Sequence, residues 1–335
     1  GYSVIGLTMK LWEFDKSSPV PHGAKSCCDL GAIVDAGLVA QKLGIPHYVL
    51  DMTDEFKQLV VDDFLSNYQR GRTPNPCIRC NTFIKFDLLL ARARNLGCQK
   101  LATGHYARIQ ETDNRPQLLR GTSAKDQSYA LWGIGRDLLP KLAFPLGSLT
   151  KEKVRRAARE IGLPVAERDE SQDVCFIPGE PIADFIERNL GESRPGDIID
   201  SDGRVLGQHR GVSRFTVGQR RGLGLAAGEP LYVTAIEPET GQVQVGTAEK
   251  LMSDNLTAAD INWVSVDPPT GPLSVSIQIR YRHRAAPGEI EPLADGRVAV
   301  RFHEPQRAVT PGQSAVFYDG DLLLGGGIIE DQSKG

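Results

Sequence analysis

The chain has 335 residues, 40% hydrophobic and 24% charged, with a net charge of −3 and six cysteines. That length supports two or three domains with real cores, and the composition excludes a disordered or fibrous chain. No apolar run approaches the roughly 20 residues of a membrane helix. No basic flank with a small-residue cleavage site marks a secretory signal, so a reducing cytoplasmic setting without membrane contact is expected, and the cysteines point to thiol, metal or sulfur chemistry rather than a disulfide scaffold.

The first half alternates strands and helices. Residues 3–9 read as a strand, and residues 29–43 as a helix with Leu30, Ile33, Val34 and Leu38 on its apolar face and Gly44 as its stop. Residues 47–52 form the next strand. Thr53 is the expected cap of a helix carrying Phe56, Leu59, Val60 and Phe64, ended by Gly71. Residues 81–96 read as a further helix stopped by Gly97, and residues 100–103 as a short strand. This alternation predicts a parallel α/β sheet, with ligands bound beyond the carboxyl ends of its strands. Thr150 caps a helix over 151–161, and Pro181 opens another carrying Phe185 and Ile186. After Gly191 short strands and tight turns take over, and from about Leu256 the chain reads as a small β-barrel. Three units are expected: 1–178, 179–250 and 251–335.

Two stretches lack acidic residues. One runs from Arg204 to Gly228 and carries Arg204, Arg210, Arg214, Arg220 and Arg221. The other runs from Ser274 to Gly288 and carries Arg280, Arg282, His283 and Arg284. In an acidic protein they are candidate surfaces for RNA or another polyanion. Solvated strand or loop faces remain the alternative for each.

The segment 72–81 holds Pro74, Pro76, Cys77 and Cys80. The two prolines predict a rigid loop. Asn81 is then the expected cap of the following helix, which places Cys80 at the positive end of a helix dipole beside Arg79. Both effects favour the thiolate, the nucleophilic form. Cys175 sits in a separate loop, and local spacing does not bring the two together. Cys77 and Cys80 would also suit half of a structural zinc site, but a second pair is missing. Cys27, Cys28 and Cys98 read as simple buried thiols.

An ordered set of motifs resembles the bacterial-type tRNA-specific 2-thiouridylases along essentially the whole chain. The motifs are Gly6-Leu7-Thr8-Met9-Lys10, Gly71-Arg72-Thr73-Pro74-Asn75-Pro76, Cys80-Asn81, Ala102-Thr103-Gly104-His105-Tyr106 and Lys125-Asp126-Gln127-Ser128-Tyr129. After them come Ser171-Gln172-Asp173-Val174-Cys175-Phe176, Gly218-Gln219-Arg220-Arg221-Gly222, Thr310-Pro311-Gly312-Gln313 and Gly325-Gly326-Gly327. The resemblance implies an ATP-pyrophosphatase domain (adenine nucleotide alpha hydrolase-like), a small mixed central domain that binds tRNA, and a C-terminal β-barrel. It implies sulfur transfer to carbon-2 of the wobble uridine, driven by ATP with Mg2+. Cys175 would carry a persulfide received from a sulfur-carrier protein or a cysteine desulfurase, and Cys80 would resolve it, by releasing sulfide or by pairing with Cys175. Met9 and Gly104 would line the adenine nucleotide, and Asn75, Pro76 and Cys77 would surround the target base. His105, Lys125, Asp126, Gln127, Arg280, Tyr281 and Gln313 would contact the tRNA. Without the resemblance, His105 reads as a satisfied loop histidine and Tyr281 as a barrel core residue.

Two departures stand out. The Ser-Gly-Gly-x-Asp-Ser loop that cradles pyrophosphate in this family is absent, and the chain opens with Gly1 at what resembles the family's second strand. The expectation is an N-terminally truncated chain, inactive alone. Cys77 stands where many members have Asp, so Cys77, Cys80 and Cys175 form a candidate three-thiolate set for a [4Fe-4S] cluster. The rival readings are that cluster-dependent route, a related adenylating ligase and a non-catalytic tRNA-binding fragment.

Overall fold

A computed structural model describes residues 1–13, 30–112, 115–166, 174–191, 194–226 and 228–330. Cys27, Cys28, Asp29 and Ser171-Gln172-Asp173 lie outside the described residues.

Strand β1 (Gly6–Lys10) pairs in parallel with β2 (His47–Asp51) over its full length. β1 starts later than the sequence pattern suggests. The Gly6 N–H donates to the Pro46 carbonyl at 2.8 Å, and Pro46 has no N–H with which to extend the ladder. Further along, β3 (Leu101–Ala102) is followed by a hairpin of β4 (Ala107–Gln110) and β5 (Gln117–Arg120), and β3 pairs in parallel with β6 (Leu142–Ala143). The expected parallel sheet is thus present as two parallel pairs, and among the described residues no strand joins them.

Helix α1 (Leu30–Leu43) packs on β1 through a different face from the one predicted. Ala32, Ala36, Val39 and Ala40 turn towards Gly6, Leu7 and Thr8 across a cavity of about 350 Å3, while Val34 and Leu38 are 60% and 47% exposed.

Helix α2 covers residues 53–69: an α-turn Thr53–Phe56, a π-helical stretch Lys57–Val61 and an α-helix Asp62–Gln69. Thr53 is its first residue rather than its cap. The Asp51 carboxylate does the capping, accepting from the Thr53 N–H at 3.1 Å and the Thr53 hydroxyl at 2.6 Å. These bonds hold its carboxyl down at about 2. Phe56, Val60 and Phe64 are buried as the periodicity predicts.

Helix α3 covers residues 76–95, with α-helical Pro76–Arg79, π-helical Cys80–Leu89 and α-helical Leu90–Asn95. Helices α4 (Lys151–Glu160) and α5 (Ile182–Leu190) come next, and Thr150 caps α4 by accepting from the Lys153 N–H at 3.3 Å.

Strands β7 (Gly196–Ile199), β8 (Val205–His209), β9 (Tyr232–Glu237) and β10 (Gln242–Gly246) form a separate sheet in the order β8-β7-β10-β9. Its own core includes Ile198, Phe215, Val233 and Val243. The last unit is the predicted barrel. Strands β11 (Met252–Asn262), β12 (Leu273–Gln278), β13 (Ala286–Pro292), β14 (Val298–Arg307), β15 (Ser314–Asp319) and β16 (Leu322–Ile329) run in the order β11-β14-β13-β12-β15-β16, and pairing of β11 with β16 closes the ring. Closure leaves no free edge among these six strands. The β4–β5 hairpin joins the same sheet through Leu119 opposite Leu322. Asn262 also ties the barrel to the first unit, its Nδ2 donating to the carbonyls of Trp132 at 2.6 Å and Ile134 at 2.8 Å.

Candidate functional site

The segment from Gly71 to Cys80 starts at a left-handed glycine (φ +68°) that ends α2. A side chain there would meet Pro238 Cγ at 2.8 Å, so the turn needs glycine both for its backbone and for its contact with the β9–β10 turn. Thr73 and Pro74 lead to Asn75, and here the structure departs from the expectation. Asn75, not Asn81, is the helix cap, and its Oδ1 accepts from the Cys77 N–H at 3.1 Å. Pro76 holds the first helical position, where its missing N–H costs nothing and its fixed φ suits the helix. Asn81 is an interior residue, 2% exposed, whose Nδ2 donates to the Ala130 carbonyl at 2.9 Å.

The cysteines shift accordingly. Cys77 is exposed in the first turn of α3, while Cys80 is a turn deeper and 7% exposed. Helix-dipole effects fade within the first turn, so the dipole favours a thiolate at Cys77 rather than at Cys80. Arg79 does not act on Cys80 alone either. Its guanidinium pairs with Asp63 at 3.3 Å and lies 4.4 Å from the centroid of the Phe83 ring. Cys80 begins the π-helical stretch of α3. Such local widening is frequent at functional sites.

Cys175 gains a placement that local sequence did not supply. Its neighbour Phe176 is 1% exposed and meets the rings of Phe56, Phe64, Phe185 and Trp12 at centroid distances of 5.7, 5.4, 5.4 and 6.1 Å. This anchor sets the Cys175 turn against α2. Cys80 belongs to the same apolar cluster, and Cys175, half-buried, packs against it. Cys98, expected as a buried thiol, is half-buried.

No group of three or more His, Cys, Asp or Glu among the described residues is placed to hold a metal ion. Cys77, Cys80 and Cys175 are thus not gathered as a ligand set in this structure, which lends the [4Fe-4S] reading no support.

Met9 lies near the carboxyl end of β1 and Gly104 two residues beyond β3, where α/β sheets bind ligands. Gly104 is exposed, and a side chain there would touch only Leu146, at 3.6 Å. The adjoining His105 is packed between Phe86 and Phe144, with ring centroids at 5.6 and 5.9 Å, and its Nδ1 lies 2.8 Å from the Thr103 hydroxyl. Burial, with Lys85 adding to it, pushes its pKa down to about 3, so the ring is neutral and has no charge to offer a phosphate.

The segment 125–127 points mostly inward. The Asp126 carboxylate accepts from the N–H groups of Gly121 and Ser128 at 2.8 and 3.0 Å, from the Ser128 hydroxyl at 2.9 Å and from Arg120 at 3.0 Å. Gln127 Oε1 accepts from the Tyr106 N–H at 2.9 Å. Lys125 is exposed.

The basic stretches divide in the same way. Arg204, Arg210, Arg220 and Arg221 are exposed. Arg214 is held by Glu187 at 2.6 Å and Asp184 at 3.3 Å, and ties the Val212–Arg214 turn to α5. Arg280 is half-buried beside Arg307, and burial together with that like charge weakens its hold on a proton. Tyr281 is not in the barrel core. It is 42% exposed, in a turn where Arg282 takes a positive φ of 62°. The region thus presents a mixed aromatic and basic surface. Gln313 lies elsewhere, against the loop that leads to Cys77 and Cys80: its Nε2 donates to the Thr73 carbonyl at 2.6 Å.

Comparison with known proteins places this geometry in a family. A tRNA methyl transferase HUP domain matches residues 1–179, a tRNA methyl transferase PRC-barrel domain residues 183–247, and an aminomethyltransferase β-barrel domain residues 253–329. The tRNA-specific 2-thiouridylase MnmA of Clostridium perfringens is 48% identical over 332 residues, covering 98% of this chain and 92% of that protein. The proteins of the same name from Geotalea uraniireducens and Acetivibrio thermocellus are 49% and 47% identical over 335 residues, covering 98% of this chain and 89% and 93% of theirs. No helix among the described residues is long and apolar enough to cross a membrane. The chain belongs to the family of tRNA-specific 2-thiouridylases.

Proposed function

We propose that this protein replaces oxygen by sulfur at carbon-2 of the wobble uridine of tRNA, with ATP as the activating substrate and Cys175 and Cys80 as the sulfur-handling groups. The observation that carries the reading is the packing of Cys80 and Cys175 against one apolar cluster, in a chain so similar to 2-thiouridylases along its length. A uridine oxygen leaves poorly. Attack of that oxygen on the α-phosphorus of ATP, with its Mg2+, displaces pyrophosphate and makes AMP the leaving group. A persulfide on Cys175, received from a sulfur-carrier protein or a cysteine desulfurase, attacks carbon-2 and expels AMP. The Cys80 thiolate then attacks Cys175 Sγ. The uridine leaves with the outer sulfur as 2-thiouridine, and a Cys80–Cys175 disulfide remains, to be reduced by a cytoplasmic thiol before the next cycle.

Met9 and Gly104, at the strand ends, suit the nucleoside of ATP. Asn75, Pro76 and Cys77 suit the target base, because they form the start of α3, one turn above Cys80, with Cys77 open to solvent. Lys125, Arg220, Arg221, Arg280 and Tyr281 suit the tRNA backbone and its bases. The packed His105 and the internally bonded Asp126 and Gln127 support the surfaces around them.

The test is Cys80→Ser and Cys175→Ser, each in the full protein, assayed for 2-thiouridine in tRNA and for tRNA binding. Both variants are expected to bind tRNA as the parent does and to make no 2-thiouridine. Normal thiolation by either would sink the assignment of roles.

A further inference from the structure

The two stretches without acidic residues, 204–228 and 274–288, are brought together at one end of the barrel, with Arg307 between them. Strand β12 arrives at this end and β13 leaves it, with Ile277 opposite Ala286, and β14 returns to it and stops at Arg307. Arg280 lies in the connection between β12 and β13. The middle unit closes in from the other side. A methyl group on Gly218 (φ +90°) would lie 2.8 Å from Ala308 Cβ, and the Gly218 N–H donates to the Val233 carbonyl at 2.8 Å. These contacts bring Tyr232, the first residue of β9, to Arg307, whose guanidinium carbon lies 4.6 Å from the centroid of the Tyr232 ring.

This end carries positive charge that the described residues do not neutralise. Arg280 is half-buried beside Arg307; burial and the like charge both weaken its hold on a proton, and the Tyr129 hydroxyl, not a carboxylate, is what opposes them. Elsewhere arginines are matched within the chain: Arg108 by Asp321 at 2.7 Å, Arg120 by Asp126 at 3.0 Å and Arg136 by Asp267 at 2.6 Å. Arg307 has an aromatic ring in place of a carboxylate. A guanidinium whose face is taken by a ring keeps its in-plane N–H donors for an acceptor that arrives from outside. The backbone is strained beside both arginines, with Arg282 at φ 62° and Ala308 at φ 53°. Residues with side chains rarely adopt this conformation, and it gathers at sites that hold ligands.

We propose that Arg307 is a further RNA-binding residue: with Arg280 it forms a two-guanidinium clamp on a single phosphodiester of the tRNA backbone, carried on Tyr232 and spanning the seam between the barrel and the middle unit. A phosphodiester offers two non-bridging oxygens, and one guanidinium for each supplies both charge and N–H donors. The bound phosphate also removes the repulsion between the two arginines. RNA held at the seam rests on both units at once, with the exposed Arg220 and Arg221 following Gly218 on the middle unit's side. This deepens the tRNA reading and rests on it.

The test is a cycle of Arg280→Gln, Arg307→Gln and the double variant in the full protein, each measured for tRNA affinity at several salt concentrations. Arg307 is exposed, so Arg307→Gln should keep the urea midpoint of the parent. It should weaken tRNA binding by about tenfold and lower the slope of log affinity against log salt by about 0.7–0.9, the share of one phosphate. Arg307→Lys keeps the charge and should keep the slope. Because the two arginines share a phosphate, the double variant should lose less than the product of the single losses. In turnover, Arg307→Gln should raise KM for tRNA by about tenfold, keep kcat within about twofold and leave KM for ATP unchanged. An Arg307→Gln protein that binds tRNA with the affinity and slope of the parent overturns the proposal. Full additivity in the double variant also overturns it, since the arginines would then hold separate phosphates, as does a rise in KM for ATP alone, which would make the anion the nucleotide's. Failure of the parent itself to bind tRNA would strike the underlying reading, and this proposal with it.

Discussion

Arg79 Nη2 lies 3.3 Å from Asp63 Oδ1, one helix reaching across to the next at the level of the thiols. Burial raises the Asp63 carboxyl above its ordinary range, while Arg79 and Arg70 pull it back down. The carboxylate offsets positive charge that would otherwise act on the turn holding Cys77 and Cys80. Asp63→Asn should therefore lower the pH midpoint for alkylation of the exposed Cys77 by a few tenths of a unit, about the effect of one uncompensated partly solvated charge. Both partners are partly exposed, so the stability loss should be only about 1 kcal/mol. An unshifted alkylation midpoint would show that the Arg79 charge does not reach the thiol.

Phe176 separates anchoring from chemistry at the second cysteine. It is 1% exposed and meets four other rings. Truncation to alanine leaves a large apolar void and should cost about 3–5 kcal/mol, read as a fall in the urea midpoint. Phe176→Leu fills most of the space and should cost less. On the proposed mechanism, both variants should lose thiolation at temperatures where they remain folded, because the Cys175 turn is no longer held in register on α2. Full activity in Phe176→Ala would mean that the turn is held by something other than this ring.

The arginines should separate by partner. Arg220 and Arg221 are exposed, whereas Arg214 is bound to Glu187 and Asp184. Neutralising Arg220 and Arg221 should weaken tRNA binding and reduce the slope of log affinity against log salt by about 0.7–0.9 for each phosphate no longer neutralised. Arg214→Gln should leave that slope alone and instead loosen α5 from the Val212–Arg214 turn, seen as a lower unfolding midpoint. A salt slope that changes equally in all three variants would mean that Arg214 leaves its carboxylates to bind RNA.

How far the sequence is legible differs from feature to feature. The closed barrel and the helix stops at Gly44, Gly97 and Gly162 follow from pattern and turn chemistry, and all three glycines have positive φ. The start of α3 is misplaced by sequence pattern although its signal is present. Asn-Pro is both a cap and a first helical residue, but two prolines in three positions also suit a loop. The face of α1 is misjudged because ranking by hydrophobicity favours Val34 and Leu38 over the alanines that face β1. The site has a deeper limit. Cys175 and Cys80 reach one apolar cluster through tertiary packing, and Thr73 meets Gln313 across 240 positions. No local periodicity encodes either contact.

The histidines give the protein an acid limit. His209 is 8% exposed; its Nδ1 accepts from the Gly211 N–H at 3.0 Å, and its Nε2 lies 2.9 Å from the Gly241 carbonyl, to which it donates. Only the neutral ring protonated at Nε2 satisfies both bonds. Protonating Nδ1 would set one N–H against another. Burial lowers its pKa below the ordinary value of 6.5, although the Gly241 bond and Asp197 oppose the shift, and His105 falls further, to about 3. The folded state therefore binds fewer protons than the unfolded state below about pH 6.5. The stability from these neutral rings is fully present above that value and declines as the pH falls towards the folded pKa values. Urea midpoints should thus decline from about pH 6.5 downwards, the unperturbed histidine value. His209→Gln should be weaker by about 1 kcal/mol at pH 7.5, having exchanged two well-aligned bonds for poorer ones, yet it should lose less on acidification because one of the rings with a lowered pKa is gone. Parallel pH profiles for the parent and His209→Gln would show that His209 titrates alike in the folded and unfolded chains.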